Sequence, residues 1–318
     1  MKRSLISWGA LFACNLMWSL QFTCIKLVQG QVGAFSTVFI PMSLATLFML
    51  PFVYKDVQAN KNRKLSDLKI FALLAIMGQF PAQVFMTFGT QQSNASTASI
   101  INLTLPVVSA LLAVVLLKEQ MNPLRWVSFG IAITGVALCS MKDMVGINLS
   151  LKYTIGNLLI FGGVLGSGFY NTICKKIASD YTEIEMLFYT YIFMVILLLP
   201  FVLYYERDVL KNIASFTTKT WTGLALLTVL HNFLSMILFF KALKNLEAIQ
   251  VALSYFLIAF FGLPIAVIFL HEKLSVLSIA GGLLVLASTI VNSVWEYRRK
   301  AAKETPEVTK HQLIYNDK

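Results

Sequence analysis

The sequence predicts an all-α integral membrane protein: ten transmembrane helices arranged as two inverted five-helix repeats. Three observations carry this. Hydrophobic residues make up 57% of the 318-residue chain and charged residues only 13%. A soluble domain carries roughly 25% charged residues, so with a mean hydropathy of +0.72 most of this surface has to face lipid. Ten apolar runs are each long enough to cross a hydrocarbon core of about 30 Å at about 1.5 Å per residue. The chain also resembles itself at an offset of 153 residues. Backbone polar groups in lipid must be satisfied within a helix or a closed barrel. The alternating ten-residue strands of a barrel are absent.

The runs follow in order. The first, residues 5–27, starts after Met1-Lys2-Arg3 and so mimics a secretion leader, but it continues past Trp18 without a small-residue cleavage site. It is therefore read as a helix. Residues 33–54 and 69–91 follow, then 95–117, which stops at Lys118-Glu119. The run 124–141 is near the lower length limit. Residues 154–174 are rich in glycine, at Gly162-Gly163 and Gly166. Residues 184–205, 221–240, 248–270 and 276–295 complete the set. The tail, 297–318, is polar and mixed in charge. The four cysteines, Cys14, Cys24, Cys139 and Cys174, all fall inside runs and read as buried free thiols.

Net charge is +11, which here reports orientation rather than a nucleic-acid partner. With the N-terminus placed in the cytoplasm, 19 of the 26 Lys and Arg residues fall on that side. Both termini are then cytoplasmic. No cleaved leader is expected and the loops are compact, which suits a bacterial inner membrane.

At the 153-residue offset Lys118-Glu119-Gln120-Met121 falls on His271-Glu272-Lys273-Leu274, and Ala72-Leu73-Leu74 on Ala225-Leu226-Leu227. Gln79 falls on Asn232 and Asn102 on Tyr255. Five spans per copy is an odd number, so the second copy enters from the opposite side, as the inverted repeats of transporters do. Glu119 and Glu272 then sit at opposite faces. One reading makes each a gate or proton site; the other has each end its helix and bond to the exposed N–H groups of the next one.

The stretch LPVVSALLAVVLLKEQMNPLRWVSFGIAITGVAL, echoed by SYFLIAFFGLPIAVIFLHEKLSVLSIAGGLLVLAST, resembles the EamA repeat of the drug/metabolite transporter superfamily. FFKALKNLEAIQVAL and MWSLQFTCIK are similar to other parts of that repeat. The resemblance covers about residues 8–295 and implies repeats at 5–141 and 154–296 around a central cavity. The fifth helix of each repeat would lie peripherally. One departure is that Pro106 of the fourth helix meets Ala259 in the ninth, where Pro264 comes later. A bend in the ninth helix is therefore expected at a different depth.

Polar residues inside lipid are expensive and face the bundle interior. Gln79, Gln83 and Thr87 recur every four residues, as one stripe of a helix. Thr228, His231 or Asn232, and Ser235 repeat the pattern in the eighth run. The cavity candidates are Trp18, Gln21, Gln79, Gln83, Asn102, Tyr170, Asn171, His231, Asn232 and Tyr255. The alternative reading is polar glue between helices, worth about 0.6 kcal/mol per contact. His231 is the titratable residue near the middle of a run, and proton coupling through it is the one coupling the sequence offers. Lys26, near the end of the first run, reads as reaching to the interface.

No Asp or Glu sits in the middle of a run, and no Arg or Lys cluster does either. Phosphorylated substrates want such a cluster. The expectation is a secondary transporter of small neutral or zwitterionic metabolites, with export of amino acids or similar compounds first. Carriers of phosphorylated or nucleotide-linked sugars, and a non-transporting receptor or scaffold, remain the alternatives. No ATP-binding loop or catalytic cluster is present, so neither an enzyme nor a cofactor is expected. The expected partners are the substrate and the bilayer, with the chain a monomer or weak homodimer.

Overall fold

The computed structural model describes residues 2–59, 68–93, 98, 101–102, 104–124, 126–128, 130–131, 134, 151–270, 280, 283–284, 287–288, 291 and 295. Every regular element among them is helical. Among the described residues five helices are long and apolar enough to cross a membrane: Leu5–Val28, Ala34–Asp56, Leu68–Gln92, Glu183–Tyr205 and Thr218–Asn245. Leu105–Leu117 and Ala248–Gly262 are shorter apolar helices, and Leu151–Ile177 is a helix of 27 residues. Most of the expected fifth and tenth helices, with Cys139, Glu272 and the tail, lies outside the described residues.

Several expected single helices are built from pieces. The first is α1 (Lys2–Trp18) and α2 (Gln21–Val28). The Ser19 hydroxyl donates to Leu16 O at 2.6 Å, competing for a carbonyl of the last turn of α1. The second is continuous, α3 (Ala34–Ala59), with Pro41 and Pro51 inside it. The third is α4 (Leu68–Leu73), two π-helical segments (Leu74–Gln79 and Pro81–Phe85) and α5 (Met86–Gln92). Pro81 has no N–H to donate, which loosens the ladder there. The fourth is described chiefly as α6 (Leu105–Leu117), with a turn at Thr104 before it.

In the second half come α7 (Leu151–Ile177), α8 (Glu183–Tyr205) and a short α9 (Arg207–Lys211). A capping box between Thr182 and Glu185 starts α8. The eighth expected helix is α10 (Thr218–Leu226), a π-helical segment (Leu227–Leu234) and α11 (Ser235–Asn245). The ninth is α12 (Ala248–Ser254) and α13 (Phe256–Leu270), interrupted at Tyr255. This corrects the expected bend: α13 runs through Pro264, and the interruption sits near the counterpart of the Thr104 turn.

Two regularities match the 153-residue offset. Residues 74–79 are π-helical and so are their counterparts 227–232. Packing between the halves is reciprocal as well. Helix α1 packs on α11 and α13, while α7 packs on the third helix and α6. Helix α3 packs on α8, and α6 on α12.

Helix ends gather into two sets. The near face, where α1 begins, holds Asp56 with Thr182 at 2.7 Å, Lys244 with Glu183 at 3.1 Å, and Lys175 donating to Leu243 O and Leu246 O at 2.6 Å each. The far face holds Lys26 donating to Ser93 O at 2.8 Å and Ser93 with Asn157 at 2.9 Å. Gln31 joins Ser215 and Thr220 there. Between the faces lies one large buried apolar cluster with contributions from both halves.

The glycines of α7 allow close approach. A Cβ on Gly163 would meet Met86 N at 3.1 Å and Pro81 O at 3.2 Å; one on Gly166 would meet Gly78 O at 2.8 Å. This brings α7 against the π-helical stretch of the third helix. The reading of these glycines as packing residues agrees with that geometry.

Candidate functional site

A cavity of about 60 Å³ opens between the halves. Eight of the ten expected residues line it: Trp18, Gln21, Gln79, Gln83, Asn102, Tyr170, Asn171 and His231. Several reach the wall from a local irregularity or a close approach. Trp18 ends α1 and Gln21 begins α2, so the break at Ser19–Leu20 presents both. Gln79 and Gln83 lie in the two π-helical segments, and His231 lies in the third. The wider π turn displaces a side chain from the 3.6-residue stripe and recurs at functional sites. Tyr170 and Asn171 are placed by α7, whose neighbour Gly78 leaves room for Tyr170: a Cβ there would lie 2.9 Å from the Tyr170 Cβ.

The wall is polar, and several of its groups lack partners. Trp18 Nε1, Gln79 Oε1, the Tyr170 hydroxyl and His231 Nδ1 are buried without a well-formed hydrogen bond. The Tyr170 hydroxyl lies beside Gln79 and Thr190, short of good geometry with either. An unpaired buried polar atom costs roughly 1–3 kcal/mol, so four at one cavity mark a place where a ligand or water completes the bonding. Gln21 Nε2 donates to Gln83 Oε1 at 3.4 Å, a long contact between the first and third helices. No Asp, Glu, Lys or Arg is among the described lining residues.

Asn232 and Tyr255 are the two expected residues that the cavity lining does not include. Asn232 Nδ2 donates to Leu227 O at 2.8 Å, inside its own π-helical segment, and the Tyr191 hydroxyl donates to Asn232 O at 2.9 Å. Its amide is occupied with the helix. The Tyr255 ring packs 5.9 Å from that of Trp18. With Phe239, 5.2 Å from Trp18, and Phe240, 6.2 Å from Tyr170, it forms an aromatic layer. These three rings are buried and lie between the cavity and the near face.

Sequence reasoning also missed the apolar lining, including Phe22, Met86, Met236 and Ile258. Such residues look the same in a sequence whether they face a cavity, a core or lipid. One of the two readings of Glu119 has it bond to the exposed N–H groups of the next helix. Its carboxylate does accept helix N–H groups, from Ala248 at 2.7 Å and Ile249 at 2.9 Å. The helix is α12, however, in the other half of the chain. Cys14, Cys24 and Cys174 are buried free thiols, and no group of metal-binding side chains occurs among the described residues.

Comparison with known proteins gives the same picture. A solved crystal structure superposes with a TM-score of 0.72 at 14% identity, covering 93% of this chain and 98% of that one, which shows the shared fold. An uncharacterized transporter of Archaeoglobus fulgidus is 24% identical over 89% of this chain and 96% of its own length. A protein of Streptantibioticus cattleyicolor named "probable terminal-alkyne amino-acid exporter" is 22% identical over 96% and 99%. An S-adenosylmethionine uptake transporter of Rickettsia felis is 24% identical over 71% of each chain. Two stretches, residues 6–141 and 154–294, match one family description, and together they cover nearly the whole chain. The chain is an integral membrane protein that belongs to the EamA-like transporter family.

Proposed function

We propose that the chain is a ten-helix secondary transporter that exports amino acids or similar neutral or zwitterionic compounds by alternating access. Its repeats would be residues 5–141 and 154–296, with both termini cytoplasmic in a bacterial inner membrane. The observation that carries this is the cavity: polar and aromatic side chains from both halves converge midway along their helices, and four of their polar atoms lack partners. Trp18 offers only a donor, Gln79 an unused acceptor, and Tyr170 either. A zwitterion carries groups that match both kinds. The rings of Trp18 and Tyr170 suit an ammonium or an apolar side chain. With no basic cluster among the described lining, a phosphate has no evident partner. The matched π-helical segments and reciprocal packing support two repeats. The relative named as an amino-acid exporter supports the substrate class and direction.

The cavity is well below the roughly 300–1,000 Å³ of pockets that hold drug-sized ligands. Anything beyond a small substrate therefore requires the halves to part. The test is thermal unfolding of the purified protein in detergent against amino acids, nucleosides, sugars, amines and sugar phosphates. A ligand at about 100 times its dissociation constant stabilises the native state by about 2.7 kcal/mol. Amino acids should raise the midpoint, and Gln79→Ala should abolish the rise. A rise with sugar phosphates alone would overturn the substrate class.

A further inference from the structure

The near face is held by Glu119, and we propose that its carboxylate is the latch of the gate: a positioning residue for transport that never touches substrate. The proposal rests on the alternating-access reading above. Lys118, which caps α6, has φ 56° and is the one non-glycine residue with positive φ among the described residues. That left-handed turn is unfavourable for a side chain with a Cβ. It takes the chain out of the helix path at the residue before Glu119.

Glu119 then spends both carboxylate oxygens on Ala248 N and Ile249 N, at 2.7 and 2.9 Å. These are first-turn amides that α12 cannot satisfy internally. The bonds are charge-assisted and cross between the two halves of the chain. On its other side the same loop is held by Lys175 of α7, through Leu243 O and Leu246 O. Glu247 and Gln250 complete a capping box there. The clamped loop, residues 246–247, lies on the near-face side of the Phe239, Phe240 and Tyr255 layer that closes the cavity.

Among the other helix pairs that pack between the halves, α3 and α8 are tied differently. Helices α3 and α8 are fastened at both ends. Glu206 accepts from Phe35 N and Ser36 N at 3.1 and 2.8 Å on the far face, and Asp56 accepts from Thr182 on the near face. The pair α3–α8 is a strut, and α6–α12 is the pair that parts. Helix α6 brings Leu105 to the cavity wall, and α13, which continues α12, brings Ile258. Opening between α6 and α12 therefore opens the cavity.

The test uses the full-length chain in nanodiscs, with its four cysteines replaced by serine and spin labels at positions 116 and 245, the near ends of α6 and α11. The control should give one dominant short distance. Glu119→Ala should raise the population of a longer distance by roughly tenfold or more. Glu119→Gln, which keeps one carbonyl acceptor, should fall between the two and stands in if the alanine variant does not fold. An unchanged distance distribution in the glutamine variant, even with a lower melting midpoint, would show that Glu119 is only a helix cap and would overturn the proposal. Substrate plays no part in this measurement. A longer distance in a protein that moves no amino acid would sink the transport reading and leave the latch in place.

Discussion

Two neighbouring glycines of α7 should respond to alanine with opposite signs. A Cβ on Gly166 would lie 2.6 Å from Pro81 Cγ, 2.8 Å from Gly78 O and 2.9 Å from Ala82 N. Two of these are backbone atoms of the third helix, which cannot swing aside. Restoring an ordinary contact of 3.4 Å to the Gly78 carbonyl moves the helices apart by about 0.6 Å. Overpacking of this kind costs about 1–3 kcal/mol, and the higher helix propensity of alanine returns about 1. The net for Gly166→Ala is a loss of up to about 2 kcal/mol. A Cβ on Gly162 meets only the Phe85 ring, at 3.2 Å. A side-chain ring yields by a few tenths of an ångström, so Gly162→Ala should be neutral or gain up to about 1 kcal/mol. Thermal unfolding of both variants in one detergent reads the difference, a few degrees between them. Gly166→Ala should also weaken ligand binding, since Ser167 and Tyr170 on the same helix line the cavity. If Gly166→Ala melts at or above Gly162→Ala, the close packing of α7 on the third helix is wrong.

Three further variants probe other joints. Asn232→Ala should lower stability by about 1–2 kcal/mol through the lost bond to Leu227 O while leaving ligand affinity unchanged, as a thermal shift with and without ligand would show. Thr182→Ala removes the cap of α8 and should cost about 1 kcal/mol; a midpoint equal to that of the unaltered protein would mean the capping box contributes nothing. Lys118→Gly relieves the left-handed strain and should stabilise by about 1 kcal/mol, whereas destabilisation would show that the side chain itself matters.

Much of this architecture was legible in the sequence because lipid enforces it. Runs of about 20 apolar residues locate the spans, and the cost of polar groups in lipid forces Gln79, Gln83 and Asn102 to face inward. The π-helical segments were not legible. Nothing in composition or polar spacing marks the longer hydrogen-bond step of a π segment, so residues 74–79 read as ordinary helix. The break at Tyr255 escaped notice because no glycine or proline marks it, while Pro264, which does carry such a mark, is accommodated within α13. Asn232 was placed on the cavity wall because a large amide needs several partners. It finds them in Leu227 O, at 2.8 Å, and in the Tyr191 hydroxyl, which reaches its Oδ1 at 3.5 Å, an answer that only coordinates supply. The partner of Glu119 was invisible for a related reason: its chemistry was readable, but the amides it meets lie 129 and 130 residues further along the chain.

The most direct measurement is uptake of radiolabelled amino acids into liposomes that contain the purified protein and an internal load of the same amino acid. An alternating-access carrier should show saturable uptake that the internal load accelerates, and Gln79→Ala should abolish it. Binding of the amino acid without uptake above that of protein-free liposomes would contradict the account and leave a receptor built on a transporter fold.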